Sequence, residues 1–260
     1  MRLPNIQGVI DRRILVNYRV RPELLAAMLP RPFRPQIVRG YGVAGICLIR
    51  LSHIRPAGLP AACGLTSENA AHRIAVEWDE EGQVQSGVYI PRRDTSSRLN
   101  AMVGGRLFPG AHHLARYEVE ECDGRYHVRM RSVDGTQNVE VSGSAATTIP
   151  GSSVFGSTQA ASEFFRCGSL GWSPTADAGR MDCLRLLTCQ WRAEPLAVDC
   201  VRSSYFDDRC RFPAGSIEFD CALLMRGIAH QWQVEPPLRI AFPSDIRQLT
   251  GGSASGNLPV

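Results

Sequence analysis

Three short segments between residues 114 and 145, divided by Asp123-Gly124 and Asp134-Gly135, constrain this chain more than any other feature of it. An Asp-Gly pair tolerates the left-handed backbone that a tight hairpin turn requires. In the middle segment Tyr126, Val128 and Met130 alternate with His127, Arg129 and Arg131, the two-residue period of a strand with one buried and one wet face. Residues 73–78 and 85–91 flank the acidic turn Asp79-Glu80-Glu81-Gly82 and read as a second hairpin. Upstream, 10–20 reads as a strand, 22–29 as a short helix with Pro22 in its first turn and prolines 30, 32 and 35 behind it, and 36–52 as two strands around a glycine-rich bend. Downstream, 159–167 reads as a helix, 181–192 is ambiguous, and 198–205 and 216–224 read as extended. The expectation is a mainly β (α+β) fold with a few peripheral helices, one domain over 1–250, and a disordered Gly/Ser-rich tail over 251–260.

At 260 residues and 44% hydrophobic content the chain is long and apolar enough to bury a core. All 29 basic residues are arginine and none is lysine. That removes whole classes of chemistry, because a lysine Schiff base, pyridoxal phosphate held as an imine, a P-loop and a kinase site all need an ε-amine.

The net charge of +4 is a mild excess. The densest stretch, with Arg12, Arg13, Arg19, Arg21, Arg31, Arg34 and Arg39 against Glu23, reads as a solvated basic face, and with no nucleic-acid motif beside it no nucleic-acid partner is expected. Nine scattered cysteines without a Cys-x-x-Cys give no zinc ribbon or redox pair. They suggest a reduced, cytoplasmic protein whose thiols act as small hydrophobes. Residues 1–8 lack the apolar region of a secretion signal, and no apolar run reaches the roughly 18 residues of a membrane helix, so no membrane partner is expected.

Gly40-Tyr41-Gly42-Val43-Ala44-Gly45 matches a dinucleotide-binding glycine pattern, but a strand-like run, Ile46-Cys47-Leu48-Ile49, follows where a helix is needed, so it reads as a bend between strands. There is no nucleophile elbow and no His-Glu-x-x-His helix. No metal or other cofactor is expected, although a metal set drawn from His72, Glu68 and one of His112 and His113 stays open. His112-His113 opens the first strand of the meander, where adjacent side chains face opposite ways. Alternation puts His113 with Ala115, Tyr117 and Val119, and His112 with Arg116 and Glu118. A neutral imidazole near pH 7 is a natural general base, so both are candidates, and which of them faces an interior is open.

Several runs together resemble a known family. They are Asp11 to Tyr18, Pro22-Glu23-Leu24-Leu25, Ser67-Glu68-Asn69, Gly87-Val88-Tyr89-Ile90-Pro91, Ser97-Arg98, and Gly105-Arg106-Leu107-Phe108-Pro109-Gly110-Ala111-His112-His113-Leu114-Ala115. They resemble the acetoacetate decarboxylase-like superfamily, and within it the YqjF-like branch of unknown function, over most of residues 8–240. In acetoacetate decarboxylase the last element reads roughly Gly-Arg-Glu, two residues, then Gly-Tyr/Phe-Pro-Lys-Lys-Leu-Ala, the first lysine forming the Schiff base. Here Leu107 stands at the glutamate and His112-His113 at the paired lysines, so a Schiff-base acetoacetate decarboxylase activity is excluded.

The resemblance implies a cone-shaped antiparallel β-barrel enclosing a small-molecule cavity. It also implies a ligand that is a keto acid or related carbonyl compound. The expected function is enzymatic: acid/base chemistry without an imine on an oxo acid or polyketide-like carbonyl compound, as a dehydration, cyclisation or carbon–carbon lyase step. His112, His113 and Glu68 are its catalytic candidates, and Arg106, Arg98, Tyr89 and Arg19 its substrate-binding candidates. The competing expectation is a barrel that binds a small anionic or hydrophobic metabolite unchanged. A homo-oligomer is left open.

Overall fold

The computed structural model describes residues 5–104, 109–175, 177 and 179–239. Among the described residues thirteen strands, three α-helices and one short 3-10 helix (Ala61–Cys63) follow one another along the chain. They are β1 (Ile6–Val20), α1 (Pro22–Met28), β2 (Arg34–Pro35), β3 (Ile37–Val38), β4 (Tyr41–Pro56), β5 (Leu65–Glu80), β6 (Gln83–Thr95) and α2 (Arg98–Val103). Then come β7 (His113–Cys122), β8 (Arg125–Ser132), β9 (Asn138–Ala145), α3 (Thr158–Cys167), β10 (Leu170–Pro174), β11 (Arg180–Thr188), β12 (Glu194–Ser203) and β13 (Ile217–Arg239). The meander and the 65–95 hairpin form as expected, with Asp123 and the glycines at 82, 124 and 135 in the left-handed region. The glycine pattern at 40–45 is the tight β3–β4 turn and the start of β4. A Cβ on Gly45 would stand 2.1 Å from the Val16 carbonyl oxygen, so that glycine serves close strand approach.

Strand pairing closes on itself. The order β11-β10-β6-β7-β8-β9-β12-β13-β1-β4-β5 is joined by additional pairings of β5 with β6 and of β11 with β13. These pairings make two rings that share β13, β1, β4, β5 and β6. The first adds β7, β8, β9 and β12, and the second adds β10 and β11. The expectation of a purely antiparallel barrel needs one correction: β6 pairs in parallel with both β7 and β10. A parallel neighbour requires a crossover, and between β6 and β7 the chain supplies one through α2.

The shared strands are apolar on both faces because each face lines a different core. Ile14, Val16, Ala44, Ile46, Leu48, Ile74 and Val76 enter one cluster with the meander residues Val128, Met130 and Val141. Leu15, Val43, Cys47, Leu51 and Ala75 enter a second with Phe155, Ala161 and Phe165. This explains the nearly unbroken apolar run at 43–51. Helix α3 is started by Ser157, whose hydroxyl accepts from the Ala160 amide, and it covers the second core with Phe165.

Two expectations about side chains are corrected. Arg12 does not sit on a solvated face: it is 1% exposed, its charge met by Glu68 and Glu121. Only Cys47, Cys183 and Cys221 are buried as small hydrophobes, while Cys63, Cys122, Cys167, Cys189 and Cys210 are exposed. No helix among the described residues is long and apolar enough to cross a membrane. The tail 251–260 lies outside the described residues.

Candidate functional site

The shared strands leave a cavity of about 360 Å³ in the second ring, walled by Ile49, Leu51, Asn69, Leu184 and Trp232 and partly covered by Leu99 and Asn100 of α2. Four ionisable residues line it: Arg55, whose guanidinium is bound to the Leu59 and His53 carbonyls, Asp94, whose carboxylate is held by Arg92, and the two that bring chemistry to it, Arg93 of β6 and His112 just before β7. A local irregularity aims Arg93. Opposite His72 to Ile74 on β5 the partner strand runs from Arg92 to Tyr89, so β6 carries an extra residue there. A bulge of this kind reverses which face later residues take. Val88 and Ile90 before it and Arg93 after it all line the second ring's interior. Tyr89, Arg92 and Asp94 belong to the other face: Tyr89 stacks on Phe33, with ring centres 6.4 Å apart, and Arg92 holds both oxygens of Asp94 at 3.0 and 3.1 Å through Nε.

The Arg93 guanidinium donates to Ser173 Oγ at 2.9 Å. No carboxylate among the described residues lies within ion-pair distance of it. Partial burial without a counter-ion pulls its pKa down to about 10.

His112 precedes the first residue of β7, so strand alternation does not govern it. The turn at Gly110, with φ of 81°, brings the ring back over its own backbone, where Nδ1 lies 2.8 Å from the Gly110 carbonyl oxygen. A carbonyl can only accept, so Nδ1 carries the proton and Nε2 the basic lone pair. Burial, and then the Arg93 guanidinium, push the imidazole pKa down to about 4, against the opposing pull of the Gly110 carbonyl. At pH 7 the ring is neutral. Space is made for it by Gly104, where a Cβ would stand 2.6 Å from His112 Nδ1.

The other expected site residues are placed elsewhere. His113 is 43% exposed on its side chain and lies 3.4 Å from Asp134, outside the cavity wall. Glu68 is on the opposite face of β5 from Asn69, tied to Arg12 at 2.5 Å and to Arg50 at 2.6 Å. Arg19 pairs with Glu218 at 2.5 Å, Arg98 is exposed at the start of α2, and neither lines the cavity. Arg106 lies outside the described residues. No group of three or more His, Cys, Asp or Glu suited to a metal occurs among the described residues, and His72, Glu68 and the paired histidines do not form one.

Sequence reasoning passed over Arg93, and with it Arg13 and Arg73, which enter a deeper chamber behind the cavity. Their signal was present: each is a cation inside a segment otherwise patterned for burial, as in Ile90-Pro91-Arg92-Arg93 and His72-Arg73-Ile74-Ala75-Val76.

Solved structures of similar fold cover nearly the whole chain. Acetoacetate decarboxylase from Legionella pneumophila superposes with a TM-score of 0.57 at 10% identity, over 92% of this chain and 88% of that one. The enduracididine biosynthesis enzyme MppR complexed with pyruvate gives 0.55 at 12% identity, over 92% and 91%. An acetoacetate decarboxylase-like enzyme from Sphingomonas wittichii gives 0.55 at 10% identity, over 90% and 92%. At these identities the likeness establishes the fold, which is acetoacetate decarboxylase-like. No curated protein sequence matches the chain. A family model, DUF2071, described as an uncharacterized conserved protein, matches residues 10–165. Since that match spans more than half of its length, the chain belongs to the DUF2071 family of uncharacterized conserved proteins.

Proposed function

We propose that the protein is an enzyme acting on a small oxo acid or related carbonyl compound by acid/base chemistry at His112, with Arg93 holding the substrate carboxylate. The observation that carries this reading is a half-buried guanidinium without a carboxylate partner among the described residues, beside a neutral imidazole of fixed tautomer, in one cavity. Removing such a cation from water is costly unless an anion meets it, and a planar carboxylate matches its fork. A solved structure of similar fold holds pyruvate, which supports an oxo acid as the substrate class.

In this mechanism His112 Nε2 removes the proton from the carbon next to the carbonyl. The C–H electron pair moves into the enolate, whose charge is stabilised by Arg93. In a dehydration the proton then leaves Nε2 with the β-hydroxyl as water, restoring the neutral ring. Anion binding also neutralises the Arg93 charge that depresses His112, so the ring becomes more basic when substrate is present. Glu68 and His113 would act at a distance by holding β5 and the start of β7.

The test is a panel of 2-oxo and 3-oxo acids followed by NMR, with and without cyanoborohydride at neutral pH, which reduces an iminium and spares the ketone. Turnover that persists in cyanoborohydride and falls by about 10²-fold or more in His112→Ala is the expected result. The absence of lysine favours a second reading, a barrel that binds such acids unchanged. Recovery of every acid unaltered by the wild-type protein would establish that reading instead.

A further inference from the structure

Behind the cavity lies a smaller chamber of about 110 Å³. The two spaces share Ile49, Ala71, Arg93, Leu184 and Trp232 as walls, so one ligand can extend through both. Two more guanidiniums line the inner chamber. Arg73 is 3% exposed, stacks on the Phe165 ring at 4.4 Å, donates through Nη2 to Asn17 Oδ1, and has no partner for its buried Nε. Arg13 lies over the Trp191 ring at 5.8 Å, and its hydrogen-bond acceptors among the described residues are both sulfur, Cys47 Sγ at 3.2 Å and Met225 Sδ at 4.0 Å. Thiol and thioether are weak acceptors. Neither arginine has a carboxylate within ion-pair distance among the described residues, whereas Arg12, the neighbour of Arg13, and Arg92, the neighbour of Arg93, each do.

The three cations fall into two groups. Arg13 is close enough to Arg73 to disfavour its charge, and Arg93 does the same to His112. One anionic group on Arg93 would leave the inner pair unanswered, and burying two guanidiniums against each other costs free energy that the apolar walls do not return.

We propose that the ligand is a dicarboxylate, with one carboxylate on Arg93 and Ser173 beside His112 and the second on Arg13 and Arg73 in the inner chamber. The inference rests on the oxo-acid reading and narrows it to short oxo diacids. The inner donors are two planar forks among apolar walls, Ile10, Ile90 and Leu186 included. That set suits a planar carboxylate, which two guanidiniums can saturate.

The experiment is calorimetric titration of the full chain with 2-oxoglutarate and with 2-oxopentanoate, which have the same carbon number and differ by the distal carboxylate. The diacid is expected to bind at least about tenfold more tightly, and Arg73→Met to bring the diacid-to-monoacid ratio to about one. Equal affinities in the wild-type protein would overturn the second anionic subsite. If the monoacid then still bound and lost affinity in Arg93→Met, the oxo-acid reading would stand. Failure of both acids to bind, with Arg93→Met indistinguishable from wild type, would overturn both. The wild-type comparison decides the question even if Arg73→Met does not fold.

Discussion

Two titratable residues lack a charged partner inside the protein, and each makes a different prediction. Arg93 is a half-buried cation at the cavity wall, with one hydroxyl as its hydrogen-bond partner and no carboxylate among the described residues, so its partial desolvation is a cost to the empty protein. Arg93→Met keeps the length and removes the charge. It should raise the stability of the ligand-free protein by about 1 kcal/mol, or a melting temperature by about 2–4 °C, while abolishing oxo-acid binding. A fall in melting temperature would mean that the arginine serves the fold. His72 is the neutral counterpart, fully buried against Tyr205 with ring centres 4.8 Å apart and with neither ring nitrogen bonded. Burial first, then Arg92 and Arg211, push its pKa down to about 3. The unfolded imidazole protonates near pH 6.5, so the folded state is at full stability above that pH and loses about 1.4 kcal/mol per pH unit as pH falls toward 3. His72→Phe removes this slope and should be the more stable protein at pH 5 by about 2 kcal/mol, as read from urea midpoints. Parallel pH dependences for the two proteins would refute the assignment.

The turn that carries His112 depends on two glycines. Gly110 needs its left-handed φ and leaves only 3.1 Å to Arg93 Nε. At Gly104 a Cβ would meet His112 Nδ1 at 2.6 Å and the Asn100 carbonyl oxygen at 2.9 Å. Gly104→Ala must therefore shift the imidazole or the end of α2, and a displacement of about 1 Å is expected to cost about 10²-fold in kcat/KM with circular dichroism unchanged. Undiminished turnover would place the chemistry away from His112. The elements themselves were largely legible: Asp-Gly pairs and alternation marked the meander, Pro22 the start of α1, and the acidic turn at 79–82 the hairpin of β5 and β6. Short β10 and α2 were not, because Leu170–Pro174 is set by pairing with the distant β6 and Arg98–Val103, capped by Ser97, is too short to show a helical period. The direction of His112 was also hidden, since alternation applies within a strand and this residue precedes one.

Across the whole molecule, two rings sharing five strands explain both the double core and the site. Reading Glu68 as a catalytic acid was natural from its motif. Its position on the first-ring face could not be read without knowing which strands two rings have in common. There Arg12 of β1 joins Glu68 of β5 and Glu121 of β7, each at 2.5 Å, with Arg50 of β4 closing the cluster. This cluster ties strands that are not neighbours in the sheet. Arg12→Met leaves two carboxylates to the half-buried Arg50 and is expected to destabilise by about 3 kcal/mol, measured by urea unfolding. A change under about 0.5 kcal/mol would show that the cluster contributes little. The central claim remains that the second ring's cavity performs proton abstraction at His112 without an imine. Its most direct test is the exchange of the C3 protons of 2-oxobutanoate for deuterium in D2O, followed by NMR against pH. The predicted result is exchange that is catalysed by the wild-type protein, lost in His112→Ala, and limited on the acid side near pH 4 in kcat/KM, where the free imidazole takes its proton, and at a higher pH in kcat. Exchange equally fast in His112→Ala, or none in the wild-type protein, would contradict it.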